Sequence, residues 1–166
     1  MDAEIAILRL LHIVPGVIWV GSALFLAWVL QPALKKTGPP HAGALMANMV
    51  GPMTKLLHTS AVLTIVFGVL MAFRVRDPLF DYLWSTGWGT MIWLGFLLAV
   101  VGYGVGTYGG LTGKKMMAIG KSLQSPPSAE QAVEMGALQN RGMLLAKIAS
   151  ILVTVAVVCM ALANHI

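Results

Sequence analysis

The chain is predicted to be all-α: an integral membrane four-helix bundle running up-down-up-down. Two features of its composition carry that expectation. Of its 166 residues, 58% are hydrophobic and 10% charged, whereas about a quarter are charged in soluble domains. The charges are also bunched, which leaves neutral runs at 10–34, 56–73, 82–113 and 148–166. Roughly 20 apolar residues cross a ~30 Å hydrocarbon layer as a helix, and each run reaches that length alone or with its flanks. Backbone groups in lipid must be bonded internally, so the choice lies between helices and a closed barrel. The runs are continuous rather than alternating, which selects helices. Residues 1–166 are expected to form one transmembrane domain, with spans at about 5–34, 53–74, 86–110 and 141–164.

The first span contains "LRLLHIVPGVIWVGSALFL". Asp2 and Glu4 stand beside Arg9 at its start, and no A-x-A site follows, so it is expected to be retained rather than cleaved as a signal peptide. The first connection, "KKTGPPHAGALMANMVGPMTK", reads either as a loop with a short surface helix or as an extension of the second helix. Pro39-Pro40 and Gly51-Pro52 are expected to break it at both ends. After the second span, "RVRDPLFDYLWSTGWGT" reads as an aromatic loop whose Phe80, Tyr82, Trp84 and Trp88 suit a membrane interface. In the long third connection, Ser128 followed by Glu130 and Gln131 is a helix start that runs on into span four.

Lys and Arg set the expected orientation. With four spans, the side of the N-terminus collects Arg9, Arg74 and Arg76. The opposite side, called side B below, collects Lys35, Lys36, Lys55, Lys114, Lys115, Lys121 and Arg141, with Lys147 just inside. By the positive-inside rule side B is cytoplasmic and both termini face outward, which in a bacterial inner membrane is the periplasm. The net charge of +5 is then mostly topology and attraction to anionic lipid. The basic pairs have no interleaved aromatics, so no nucleic-acid partner is expected. The single cysteine, Cys159, allows no internal disulfide and reads as a small hydrophobe.

Span three carries two glycine patterns. Gly104-Val105-Gly106-Thr107-Tyr108-Gly109 matches G-x-G-x-x-G, but without a preceding strand the match carries no nucleotide chemistry. Gly102, Gly106, Gly109 and Gly113 recur at i, i+4, i+7 and i+11, and Gly95 extends the stripe. Such a stripe lets helices approach closely, and it equally suits a flat macrocycle.

Ionisable groups within spans are costly and are functional suspects. His12 shares a helix face with Gly16, Trp19 and Ala23; His58 lies near Ala61, Gly68 and Ala72. Each imidazole heads a groove of small side chains, which suits a bulky planar ligand. Imidazole ligates b-type haem and copper. If helix two starts near His41, the two rings are offset by about 9 Å at 1.5 Å per residue. Two separate sites are therefore expected rather than one shared iron, though helix tilt and the break at Pro52 keep a single site open. Met143 and Lys147 are the second-ligand candidates near His58; Cys159, Met160 and His165 are those near His12. Lys147 reads either as an inward-facing group or as a lysine snorkelling to the headgroups. His41 and His165 read as surface residues. Met46, Met49 and Met53 form a thioether stripe of the kind that selects Cu(I), or a flexible packing face. No Ser-His-Asp set is present, and all six acids lie in tails or loops, so hydrolysis is not expected.

The stretch "LHIVPGVIWVGSALFLAWVLQPAL" resembles the first helix of the CopD/HemJ-like group of small bacterial membrane proteins. "GPMTKLLHTSAVLTIVFGVLMA" resembles the group's second helix, and "NRGMLLAKIASILVTVAVVCMALA" its closing one. The resemblance implies haem b or copper within the membrane, with His12 at the matching ligand position. HemJ-type members oxidise protoporphyrinogen and CopD-type members are linked to copper handling. Helix three, "GWGTMIWLGFLLAV", departs from the HemJ pattern, because it lacks the histidine or lysine that the family places there.

Three functions follow as expectations. The first is a b-haem protein that passes electrons, with cofactor contacts from His12, His58, Trp19, Gly102, Gly106, Gly109 and Lys147 and metal ligation by His12 and His58. Its partners would be the lipid bilayer and other membrane redox subunits or quinone. The second is a copper-handling protein that uses the Met and His ligands. The third is a cofactor-free structural subunit of a membrane complex, docking through the glycine stripe.

Overall fold

The computed structural model describes residues 3–76, 78–122 and 128–166, and among these it is helical almost throughout, with no strand. Helix α1 (Ala3–Phe25) passes through a π turn (Leu26–Leu30) into α2 (Gln31–Thr37). Gly38, at φ +85°, reverses the chain in a left-handed conformation that costs glycine little. Helix α3 (Pro39–Val75) returns. The short α4 (Leu79–Ser85) leads to α5 (Gly87–Ser122), and α6 (Ala129–Leu162) closes the bundle with a 3-10 turn (Ala163–His165). Among the described residues, four helices are long and apolar enough to cross a membrane: Ala3–Thr37, His41–Val75, Gly87–Ile119 and Ala129–Leu162. The expected four-helix membrane bundle is what the chain forms.

The first connection takes one of its two expected forms without the expected break at Gly51-Pro52, and the aromatic connection differs from its expected form. The first is an extension of the second helix, and Gly51-Pro52 does not break it: Pro52 lies inside α3. Proline removes one N–H and crowds the Cβ of the residue before it, but Gly51 has no Cβ to crowd. Pro39 sits at the start of the helix, where its missing N–H would be unpaired anyway. The aromatic loop forms α4, whose Leu79 and Leu83, four apart, are buried while Phe80 and Trp84 are exposed. The start at Ser128 is as expected. Its hydroxyl accepts from Gln131 N at 3.2 Å, and its own N–H donates to the Gln131 side chain at 3.0 Å, the reciprocal capping box.

The helices pack as two hairpins. Helices α1 and α2 lie along α3, α5 lies along α6, and the pairs meet more sparsely. Their shared core is Trp19, Ala61, Ala99, Val153 and Ala156. An Arg74–Glu4 ion pair of 3.0 Å joins the first hairpin at the N-terminal side; Lys35 donates to Asn140 at 3.1 Å at the other end. Large apolar side chains such as Leu10 and Val17, 61% and 68% exposed, point outward, where lipid would cover them.

Candidate functional site

Because the hairpins touch sparsely, a cleft remains between them in the side B half of the bundle. It has an empty volume of about 1250 Å³ out to its open mouth, of which about 230 Å³ admits the centre of a water molecule. The smaller volume lies just below the ~300–1,000 Å³ of typical small-molecule sites, and the rest of the space opens to the surroundings. A small hollow shared by Val50 and Lys114 adjoins its outer end, on the α3–α5 seam.

His58 lines the cleft from α3. Its ring stands edge-on to Tyr103 at 5.5 Å between centroids, and Tyr103 stands edge-on to Trp19 at 6.2 Å. This aromatic trio makes the inner end. Helix α5 supplies a wall of Gly102, Gly106, Gly109, Gly110 and Gly113. The stripe does two jobs. A Cβ at Gly95 would lie 3.1 Å from the Ala156 carbonyl, one at Gly102 2.8 Å from Val153 Cγ1, and one at Gly109 3.2 Å from Leu145 Cβ. These positions let α6 approach closely. A Cβ at Gly110 or Gly113 would meet nothing within 4 Å, so that part of the wall is bare.

The polar groups run from one turn beyond the aromatic trio out to side B. Gln31, Thr54, Thr107 and Lys114 line the cleft alongside Met46, Met49 and Met53. Gln31 Oε1 and Thr107 Oγ1 are buried without a hydrogen-bond partner. Buried polar atoms in proteins are nearly always paired, and helical hydroxyls elsewhere in this bundle are: Ser60, Thr64, Thr112 and Thr154 each donate to the carbonyl four residues back. The π turn explains how Gln31 reaches the cleft. At about 100° per residue, Gln31 would sit about 120° from the Trp19 face of a regular helix. An i→i+5 turn takes up one additional residue, which sets the phase back by about 100° and brings Gln31 to within about 20° of that face.

Of the residues singled out in the sequence, His58, Trp19, Gly102, Gly106 and Gly109 line this one cleft. His12 does not. It is half-buried in the α1–α3 seam, in the half toward the N-terminal side, where Nδ1 donates to the Thr64 carbonyl at 2.7 Å. A Cβ on Gly68 would fall 2.8 Å from the ring. A carbonyl only accepts, so Nδ1 carries the proton, and the imidazole has a partner there without any cofactor. Lys147 also lies elsewhere: its ammonium sits 5.2 Å from the centre of the Trp28 ring. The Trp28 indole N–H donates to Ser150 Oγ at 3.0 Å, and that fully buried hydroxyl donates to the Lys147 carbonyl at 2.8 Å. His41 and His165 are exposed and Cys159 is buried. Among the described residues, no three His, Cys, Asp or Glu side chains gather as a metal site.

Sequence reasoning missed Tyr103, Gln31, Thr107 and Lys114. Tyr103 and Thr107 lie four apart beside the glycine stripe, and Gln31 is the one amide in the neutral run 10–34; an uncharged polar group in a span was the available signal. No family model, curated protein or solved structure matches the chain.

Proposed function

We propose that the protein is a membrane-embedded b-type haem protein taking part in electron transfer, with the cleft as its haem site and His58 as the ligand to iron. One observation carries the reading: the imidazole of His58 and the bare glycine wall of α5 line the same cleft. The cleft's groups fit such a ligand. A flat ring can lie against Gly106, Gly110 and Gly113, and Trp19, Leu26, Leu30, Leu57 and Leu111 offer it apolar contact and exclude water. Tyr103 holds the His58 ring edge-on. When bound, haem supplies a one-electron couple whose potential follows ligation and burial. His58 is the one imidazole on the lining among the described residues, so this reading assigns a single protein nitrogen to iron and leaves His12 as a helix-packing group. The Lys and Arg bias supports a cytoplasmic side B in a bacterial inner membrane, with other membrane redox subunits or quinone as electron partners.

A copper role is the second reading, favoured by one feature: Met46, Met49 and Met53 face the cleft that His58 lines, and thioethers select Cu(I). A structural role resting on the glycine stripe is weaker, because Gly95, Gly102 and Gly109 are already engaged with α6.

The absorption spectrum of detergent-purified protein tests all three. A Soret band, with α and β bands on reduction, that His58→Ala removes and His12→Ala leaves is the expected result. Colourless protein with stoichiometric copper would replace the haem reading by the copper one. Colourless, metal-free protein that takes up neither on titration would refute both.

A further inference from the structure

We infer that the part of the cleft running from Thr107 to side B is a carboxylate subsite, in which Gln31, Thr107 and Lys114 receive the acidic groups of a flat macrocyclic ligand. The inference names the ligand's polar chemistry, and it rests on the proposed use of the cleft by a porphyrin. Two buried atoms there, Gln31 Oε1 and Thr107 Oγ1, have no partner. An amide can present either its oxygen or its NH2 after a flip, and a hydroxyl donates or accepts, so both side chains can donate to a ligand oxygen. The charge decides the ligand's sign. Lys114 is the only ionised side chain on the lining among the described residues, and an ammonium favours an anionic oxygen.

The placement suits a ligand with one end at His58. Thr107 follows Tyr103 by about 6 Å along α5, and Lys114 by about 16 Å, at 1.5 Å per residue. Lys114 is exposed at the mouth, and because helical side chains lean toward the helix N-terminus its four-carbon stem can lie back along the groove. A macrocycle near Tyr103 would therefore direct its acid groups at Thr107 and Lys114 from one wall, and at Gln31 from the other. The π turn acquires a reason here: a regular helix would face Gln31 away.

The test uses the full chain in nanodiscs, titrated with metal-free protoporphyrin IX and with its dimethyl ester, and followed by tryptophan quenching. Neither probe needs an iron ligand, so the result is independent of His58. The free diacid should bind at least about tenfold tighter than the ester, the loss of about one charge-assisted hydrogen bond. Lys114→Met should weaken the diacid by about that factor and leave the ester unchanged, whereas Gln31→Leu and Thr107→Val, whose neutral donors also reach an ester carbonyl, should weaken the diacid more than the ester. Equal binding of the two probes, or variants that weaken both alike, would overturn the inference while leaving haem ligation to stand or fall by its own spectrum. Diacid preference without a haem Soret band would sink the haem reading and keep the subsite. Failure of both probes to bind would overturn the inference, and the haem reading would still be decided by its own spectrum. Adding phosphatidylglycerol to phosphatidylcholine discs distinguishes a lipid source: if the acidic lipid abolishes the diacid preference, Lys114 serves headgroups and the inference falls.

Discussion

Gly68→Ala in α3 should damage the fold through a residue that is not its chain neighbour. The new Cβ would lie 2.8 Å from both Cε1 and Nδ1 of His12, closer than carbon and ring atoms tolerate. The ring must move, and moving it breaks the 2.7 Å bond to the Thr64 carbonyl. Overpacking costs about 1–3 kcal/mol, and an interhelical hydrogen bond in a membrane averages about 0.6 kcal/mol and reaches about 1.7. The sum is about 2–4 kcal/mol. In a His12→Ala background the obstructing ring is gone and the same methyl enters vacated space, so the cost of Gly68→Ala should fall close to zero. The double-mutant cycle therefore predicts a coupling of about 2 kcal/mol or more, read by reversible unfolding in mixed micelles. Costs that simply add, within the ~0.5 kcal/mol seen for independent sites, would show that His12 does not pack on Gly68. The account of His12 as a packing group would then be wrong.

Five other substitutions, at four positions, separate the roles of particular residues. Gly110→Leu should fill the cleft and abolish haem or porphyrin binding while holding or raising the melting temperature, since its Cβ meets nothing within 4 Å and leucine is about 1 kcal/mol better in a helix. Gly102→Leu should instead lower the melting temperature, because Val153 Cγ1 would stand 2.8 Å from its Cβ; equal melting curves for the two variants would contradict the division of the stripe. Ser128→Ala removes the capping box of α6 and should cost about 1 kcal/mol, seen as about fivefold faster amide exchange confined to the helix's first turn. Trp28→Phe keeps an aromatic face under Lys147 but leaves the fully buried Ser150 hydroxyl without its indole donor. A loss of about 1 kcal/mol by thermal unfolding is expected, and Trp28→Leu should lose more, as the cation–π contact goes too.

Sequence reasoning reached the site unevenly. His58, Trp19 and the glycines of α5 were legible because each is an exception to an apolar run. His12 was equally conspicuous, but its bond to a backbone carbonyl 52 positions away is a contact no string of letters gives. The open space at Gly110 and the engaged face at Gly102 look the same on paper. They differ only in whether α6 lies alongside.

What the residues determine alone is local or set by solvent. Long neutral runs must bond their own backbone in lipid, bunched cations mark one side, and Ser128 with Gln131 starts a helix without help from the rest of the chain. Tertiary structure decided everything that depends on the phase of one helix against another: the pairing into two hairpins, the cleft left between them, and the turning of Gln31 into it. The reason is geometric. One additional residue in a π turn rotates all that follows by about 100°, and whether a helix accepts that turn depends on what its neighbours can pack.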